Sequence, residues 1–147
     1  MSRISKDEYG MLIAFAARQR SEDPSTRVGV ALEDHSGRII GCGYNGLKAG
    51  RDYQFDGNRD ERLDAMIHAE TNALSLVRRG EAKRIFITHS PCAACCLNII
   101  AHGIEEVIFC IEYHGCKKFK KILPDNGVRI SQIDLTRVKE IVTMMAA

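Results

Sequence analysis

The spacing of hydrophobic residues changes along the chain, and the first changes predict a helix followed by a hairpin. Near the amino end, apolar positions recur at the spacing of an amphipathic helix that we expect to end near Arg20. Ser5 and Glu8 form a capping-box pattern at its start. Apolar and polar positions then alternate over residues 28–44, with turn-forming residues at 34–37. This alternation predicts an antiparallel hairpin.

Beyond the hairpin, helical and strand-like patterns alternate. Residues 46–62 show no periodicity and are interpreted as a loop, which at such a length is usually functional or mobile. Helical spacing returns over residues 66–77, with Gly80 as a stop. The remaining predicted elements are a strand over 84–88, a helix over 92–102 ended by Gly103, a strand over 107–112, a basic helix over 117–122, a strand over 128–130 and a helix over 134–145 with Asp134 as its N-cap.

This order of elements predicts the fold class. Strands that alternate with helices form parallel pairs joined by right-handed crossovers, with helices on both faces of the sheet. We therefore predict an α/β fold, a three-layer α/β/α sandwich around a mixed five-stranded sheet. The chain has 147 residues, a length that suits one domain, and we expect residues 1–147 to form it.

Composition and charge narrow the class of protein. Hydrophobic residues make up 45% of the chain and charged residues 27%, as in soluble globular proteins. The apolar runs are far shorter than the roughly 18 residues of a membrane span, and a net charge of +2 gives no argument for a nucleic-acid or membrane partner. The amino-terminal segment is charged throughout, which predicts no secretory signal and hence a soluble, intracellular, cytoplasmic protein. In such a chain, six cysteines favour metal or thiol chemistry over disulfides.

Two short motifs carry the candidate chemistry, His68-Ala69-Glu70 and Pro91-Cys92-Ala93-Ala94-Cys95. A Cys-x-x-Cys pair at a helix start places two thiols on one exposed turn, where the helix N-terminus lowers their pKa. A histidine from another helix can supply a third ligand, and three protein ligands leave the fourth position of zinc open, as in catalytic sites. Glu70 lies too close to His68 in sequence to ligate the same ion easily, but a carboxylate there can move protons for a metal-bound water. The combination is the known signature of zinc nucleobase deaminases.

Less specific interpretations of these motifs exist. A Cys-x-x-Cys pair alone could be a redox pair, and a His-x-Glu pair alone is common by chance. A purely structural zinc site would need a fourth ligand, for which Cys96 is the candidate. On a helix, however, Cys96 points about 100° away from Cys95, so we expect it to pack in the core.

The basic stretch near the carboxyl end offers weaker signals. His114 and Cys116, with His89 or His102, could form a second zinc site, but no ligand spacing favours it. The four lysines within residues 117–121 predict a solvated helix face, ahead of phosphate attraction and of nucleic-acid binding.

The chain resembles the cytidine and deoxycytidylate deaminase superfamily, and within it the deoxycytidylate (dCMP) deaminases. The zinc motifs are shared by the whole superfamily, whereas two earlier motifs distinguish the nucleotide enzymes. The matching segments are Asp23-Pro24-Ser25-Thr26-Arg27-Val28-Gly29, Gly43-Tyr44-Asn45-Gly46, His68-Ala69-Glu70-Thr71-Asn72-Ala73, Pro91 to Cys95 with Asn98-Ile99-Ile100, and Gly103-Ile104-Glu105-Glu106-Val107. The departures are Cys96, where related sequences usually have alanine, and residues 47–65, which do not align.

The resemblance implies a cytidine deaminase-like fold and a zinc-dependent hydrolysis of dCMP to dUMP and ammonia, a reaction that supplies thymidylate synthesis. His68, Cys92 and Cys95 would hold Zn²⁺. Glu70 would take a proton from the attacking water and deliver it to the ring nitrogen and the leaving amine.

The resemblance also implies substrate-binding residues. The guanidinium of Arg27 matches the geometry of the 5′-phosphate, and Ser25 could assist it. Asn45 would hydrogen-bond the sugar, and Tyr113 would stack on the base. Each residue also has a less specific interpretation: Arg27 as a surface arginine at a strand start, Asn45 as a turn former, and Tyr113, without the resemblance, equally as a partly buried tyrosine at a strand end.

Regulation and assembly are further implications of the resemblance. Members of this family are usually homohexamers that dCTP activates, together with Mg²⁺, and dTTP inhibits. The residues associated with the allosteric nucleotide are Gly43, Tyr44, Asn45 and Gly46. A triphosphate needs cationic partners, and Lys48 and Arg51 just beyond this motif are candidates by their charge, although an exposed loop explains them equally well.

Three rival functions remain open at this point. A tRNA adenosine deaminase would favour a more basic protein with a basic carboxyl-terminal extension, and a free-cytidine deaminase would not need Arg27. A non-catalytic, zinc-stabilised binding module would have no reason to place Glu70 beside the metal. We expect nucleotides as ligands, and neither nucleic acid nor a membrane as partner.

Overall fold

A mixed five-stranded sheet with helices on both faces forms the fold, in a computed structural model that describes residues 2–50 and 58–147. The strands lie in the order β2-β1-β3-β4-β5. β1 is antiparallel to β2 and to β3, whereas β3, β4 and β5 run parallel. The predicted α/β fold is confirmed. The elements are α1 Lys6–Arg18, β1 Gly29–Asp34, β2 Ile39–Tyr44, α2 Arg59–Ala65, α3 Ala69–Leu74, β3 Ala82–His89, α4 Ala93–Ala101, β4 Glu106–Ile111, α5 Phe119–Asp125, β5 Arg129–Gln132 and α6 Leu135–Met145.

The two faces of the sheet carry separate hydrophobic cores. α1 and α6 cover one face, and α3, α4 and α5 cover the other. Central strand β3 supplies both, because successive side chains of a strand point to opposite faces: Phe86 belongs to the first core, Ile85 and Ile87 to the second. This double burial explains why β3 has a continuous apolar run instead of an alternating one. α1 is the longest described helix with 13 residues, and none in the described ranges is long and apolar enough to span a membrane.

Several predicted helix ends are confirmed. The Ser5 hydroxyl accepts from the Glu8 N–H at 3.0 Å, and the Glu8 carboxylate accepts from the Ser5 N–H at 2.8 Å, which completes the capping box. Asp134 caps α6 by accepting from the Thr136 N–H. Gly103 follows α4 with φ +76°, a left-handed conformation that favours glycine.

One prediction is wrong in part: helix α2 begins within residues 46–62, the segment interpreted as a loop, and continues beyond it to Ala65. α2 buries none of its residues, so it has no apolar periodicity that a sequence pattern could show. It is capped by the Asn58 side chain, which accepts from the Glu61 N–H at 2.9 Å. Residues 51–57 of the same segment lie outside the described residues. α3 is also shorter than predicted, because Ile67 pairs with Gly46 in an isolated bridge.

A partly buried cluster of charges ties four elements together at one edge of the sheet. Arg84 on β3 contacts Glu33 on β1 at 2.8 Å, Asp7 on α1 at 2.6 Å and Glu106 on β4 at 3.2 Å. These positions lie at the carboxyl end of β1 and the amino ends of β3 and β4. The site described next lies at the opposite edge of the sheet.

Candidate active site

Four segments of chain meet at the other edge of the sheet. The carboxyl ends of β2, β3 and β4 lie there together with the amino end of β1, because β1 runs antiparallel to β2 and β3. Ligands of open α/β sheets bind beyond the carboxyl ends of the strands. A cleft of about 250 Å³ opens at this edge. Its lining includes Asp23, Ser25, Thr26, Val28, Asn45, Arg59, Arg62, Leu63, Met66, His68, Glu70, His89, Ser90, Cys92, Tyr113 and Cys116.

The predicted metal ligands come together beside this cleft. His68 is the N-cap residue of α3 and Cys92 that of α4, and neither side chain caps its own helix. The His68 Nδ1 atom lies 3.2 Å from Cys95 Sγ and 3.6 Å from Cys92 Sγ. All three ligand atoms lie within 4.8 Å of one another. Tetrahedral zinc, with bonds of about 2.0–2.3 Å, places nitrogen and sulfur ligands about 3.5 Å apart, so the three residues fit zinc.

The protons of this group are distributed unequally. Hydrogen bonds from Cys95 and His68 lower the pKa of Cys92 to about 4, so that its sulfur is a thiolate at neutral pH. The bond to Cys92 and burial raise the pKa of Cys95, which keeps its proton. Because zinc ligands must be deprotonated, metal binding would release that proton.

Glu70 lies in the first turn of α3, next to the metal ligands but outside their group. Its side chain lines the cleft and the residue is only 5% exposed. Burial raises the pKa of this carboxyl above its usual value. A buried carboxyl with a raised pKa, open to a cleft, is suited to accept and return a proton.

The other cysteines and histidines do not extend the metal group. Cys96 is fully buried and packs in the core, where its thiol donates to the Pro91 carbonyl, so the core prediction is confirmed. Within residues 2–50 and 58–147, the His68, Cys92 and Cys95 atoms form the only group suited to a metal ion.

Asn45 differs from its expected role. Its side-chain oxygen accepts from the Ser21 hydroxyl at 2.8 Å and from the Val28 N–H at 2.9 Å. Its amide nitrogen donates to the Thr26 carbonyl at 2.8 Å and to Asp23 Oδ2 at 3.4 Å. An asparagine side chain has two acceptor and two donor positions, so all four are filled within the protein. Asn45 therefore holds the segment before β1 in place and has no group left for a sugar.

Two other predicted substrate residues do line the cleft. Tyr113 follows β4, and its N–H donates to Ser90 Oγ at 2.8 Å. Its ring meets that of His89 edge to face, with 6.3 Å between the centroids. Ser25 lies across the cleft on the segment that Asn45 holds. These positions leave an aromatic face and a hydroxyl available to a ligand.

Arg27 does not join them. It is exposed and absent from the lining, because its neighbour Val28 points into the cleft and successive residues of an extended segment point to opposite sides. Its carbonyl accepts from Arg18 Nε at 2.8 Å. The cleft instead contains Arg59 and Arg62, both on α2. Neither arginine was predicted as a site residue, because the only local sequence signal of α2 is its N-cap, Asn58.

A second, smaller depression lies beside the cleft and shares Asn45 with it. Tyr44 and Gly46 line it, together with Arg20, Glu22 and Lys48. Gly43 does not reach it. A Cβ at Gly43 would lie 2.7 Å from Ala73 N and 2.8 Å from Ala69 O, so this glycine allows α3 to pack closely on β2. Arg51 lies outside the described residues.

Comparison with known proteins agrees with this geometry. Residues 4–111 match the family model of the cytidine and deoxycytidylate deaminase zinc-binding region. The chain belongs to this family of deaminases. Within the family it is 34% identical over 121 residues to deoxycytidylate deaminase of Mus musculus, covering 76% of this chain and 68% of that protein. It is 36% identical over 117 residues to that of Pongo abelii, covering 73% and 66%.

A solved member of the family has the same fold. The dCMP deaminase of the cyanophage S-TIM5, in complex with dCMP and dUMP, superposes with a TM-score of 0.77 and 25% identity over 90% of this chain and 100% of that one. Cytidine deaminase from Burkholderia pseudomallei shares the fold at a TM-score of 0.55 and 23% identity. The predicted resemblance to this family is therefore confirmed.

Proposed function

We propose that this deaminase hydrolyses dCMP to dUMP and ammonia with zinc held by His68, Cys92 and Cys95. The observation that carries the proposal is the convergence of these three ligands and the buried Glu70 on one cleft. The names of the mouse and orangutan relatives, and the cyanophage structure with dCMP and dUMP, support the choice of nucleotide. The product would supply thymidylate synthesis, in the cytoplasm, and the whole chain would act as a single domain.

The positions of the side chains support this reaction. Zinc bound by the three ligands would act as a Lewis acid that makes water a competent nucleophile at neutral pH. Glu70 would take a proton from this water as its oxygen bonds to C4 of cytosine. The carboxyl group would then pass protons to the ring nitrogen and to the leaving amine, and the bond from C4 to the amine would break. Its raised pKa suits both directions of transfer.

The side chains of the cleft would also orient the substrate. The aromatic face of Tyr113 would stack on the base, a contact worth about 1–3 kcal/mol for a nucleobase. Ser25 would donate to the substrate from the segment before β1. Asn45 would act through that segment, because its own hydrogen-bonding groups are all engaged by protein atoms.

A side-by-side assay tests the substrate. Zinc-loaded protein would be given dCMP, cytidine, adenosine and a tRNA anticodon stem, with release of ammonia as the measurement. We expect dCMP to be preferred. Glu70→Gln should keep its zinc and lose about 10²–10⁴-fold in turnover. Preference for the tRNA or for free cytidine would identify another deaminase, and zinc-loaded protein inert toward all four would indicate a non-catalytic zinc module.

The second depression favours regulation by a nucleotide as a further function of the same protein. Arg20 and Lys48 offer cationic groups there, and Tyr44, Asn45 and Gly46 form its wall. We propose that dCTP with Mg²⁺ activates, and dTTP inhibits, a homohexamer through this depression.

This regulation is tested by kinetics and by mass in solution. dCMP saturation curves with and without each triphosphate should change shape, and Gly46→Ala should blunt the change. A Cβ there would meet only the Tyr44 ring at 4.0 Å, so the fold should tolerate it. A hyperbolic curve indifferent to both triphosphates, or a monomer in solution, would contradict regulation and leave the deaminase proposal intact.

A further inference from the structure

Arg62 brings an unneutralised positive charge into the cleft. It lies on α2 and lines the cleft together with Arg59, and in the described parts of the chain neither forms an ion pair. Asp23 also lines the cleft, but its Oδ1 accepts from the backbone N–H groups of Ser25 and Thr26, at 2.7 and 2.9 Å. This carboxylate therefore shapes its own turn, and in the described parts of the chain it forms no ion pair with either arginine.

The guanidinium of Arg62 is also incompletely hydrogen-bonded. Its Nη2 donates to Ser25 Oγ at 2.6 Å, which fixes the side chain on the cleft wall. Its Nε is buried and, among the residues the structure describes, has no acceptor. Buried N–H groups of native proteins nearly always have partners, and an unpaired one costs free energy until an acceptor arrives. The hydroxyl of Ser25 accepts from Arg62 and so keeps its own proton available to donate.

We propose that Arg62, anchored by Ser25, binds the 5′-phosphate of the substrate and makes the site select a nucleotide over a nucleoside. This inference rests on the proposed function, because the zinc group and Glu70 define the base end of the same cleft. A guanidinium presents its N–H donors in a planar fork that matches two phosphate oxygens, and phosphate would also supply the missing acceptor of Nε. Arg27, the sequence-based candidate, is exposed and does not line this cleft.

Steady-state kinetics of zinc-loaded variants test the assignment. Arg62→Gln keeps most of the stem and an amide donor but removes the charge and the fork. We expect it to raise KM for dCMP about 10–100-fold, the loss typical of charge-assisted hydrogen bonds. The slow turnover of deoxycytidine should change by less than about twofold, because a nucleoside offers no phosphate. Arg62→Lys should recover part of the loss by restoring the charge, and Arg27→Ala should behave like the wild type.

A binding experiment separates this inference from the proposed reaction. Calorimetric titration with dUMP and with deoxyuridine needs no turnover, so it remains decisive even if the wild type fails to deaminate dCMP. Selective loss of dUMP affinity in Arg62→Gln, with thermal unfolding unchanged, supports the inference. Unchanged dUMP affinity, an equal loss for deoxyuridine, or a selective loss in Arg27→Ala instead would overturn it.

Discussion

Replacing Asn45 by alanine should destabilise the fold, and not merely weaken substrate binding. The side chain makes four hydrogen bonds to the segment that leads into β1. Alanine would leave the Val28 N–H and the Thr26 carbonyl without their partners. Ser21 would still donate to the backbone carbonyl of residue 45, at 2.9 Å. Two orphaned backbone groups are therefore the main consequence.

The magnitude follows from those two groups. A lost hydrogen bond costs about 1 kcal/mol net, and more where the abandoned partner is shielded from water. Both groups belong to partly buried residues, so we expect the free energy of unfolding to fall by about 2–3 kcal/mol. For a chain of this length, that lowers Tm by about 5–10 °C. Asn45→Asp should lose at least as much, because it removes both donors and places a second carboxylate beside Asp23.

Thermal and urea unfolding of the zinc-loaded proteins measure this loss. Asn98→Ala is the matched control, because that side chain makes one long bond, 3.3 Å to the Thr71 hydroxyl. We expect the control to stay within about 0.5 kcal/mol of the wild type. If Asn45→Ala unfolds like the wild type and only raises KM for dCMP, the side chain contacts the sugar after all and our reasoning is refuted.

Three further predictions concern metal binding, packing and the charge cluster. Cys92→Ala should lose zinc and activity together, whereas Cys96→Ala should keep zinc by elemental analysis; zinc loss in the second variant would make Cys96 a ligand. Gly43→Ala should lower Tm clearly more than Gly46→Ala in a thermal melt, since only the first Cβ meets helix backbone at 2.7 Å; equal Tm values would contradict the packing argument. Arg84→Met should cost about 3–5 kcal/mol in urea unfolding by leaving the buried Glu33 carboxylate uncompensated, and a neutral result would show that this carboxylate is solvated.

The metal group could be predicted from sequence because its information is local. Cys92 and Cys95 lie at the start of one helix, α4. The His-x-Glu pair lies at the start of another, α3, and the fold brings these two helix starts together. The hairpin was equally accessible, since its signals are alternating apolar residues and a turn at 34–37, although β1 itself is buried along almost its whole length. The open α/β sheet then makes convergence at one edge a consequence of topology.

The rest of the cleft depends on tertiary contacts that no local pattern encodes. α2 buries none of its side chains, so neither the helix nor Arg62 left a periodic signal. Asn45 could not be recognised as fully hydrogen-bonded, because its partners lie 17 to 24 positions earlier in the chain. Arg27 was placed by motif, but a shift of one position along an extended segment reverses the direction of a side chain.

The location of the three metal ligands at two helix starts affects how stable the chain is in the cell when zinc is scarce. His68 precedes α3 and the two cysteines open α4, so β3 lies between them in sequence. A metal bound there would close a loop of chain around that strand and would favour the folded state, which alone presents the three ligands together. Chains made during zinc shortage would then lack both the deaminase activity and the metal link between the starts of α3 and α4. Proteolysis of these less stable chains would lower the amount of the protein in the cell during such a shortage.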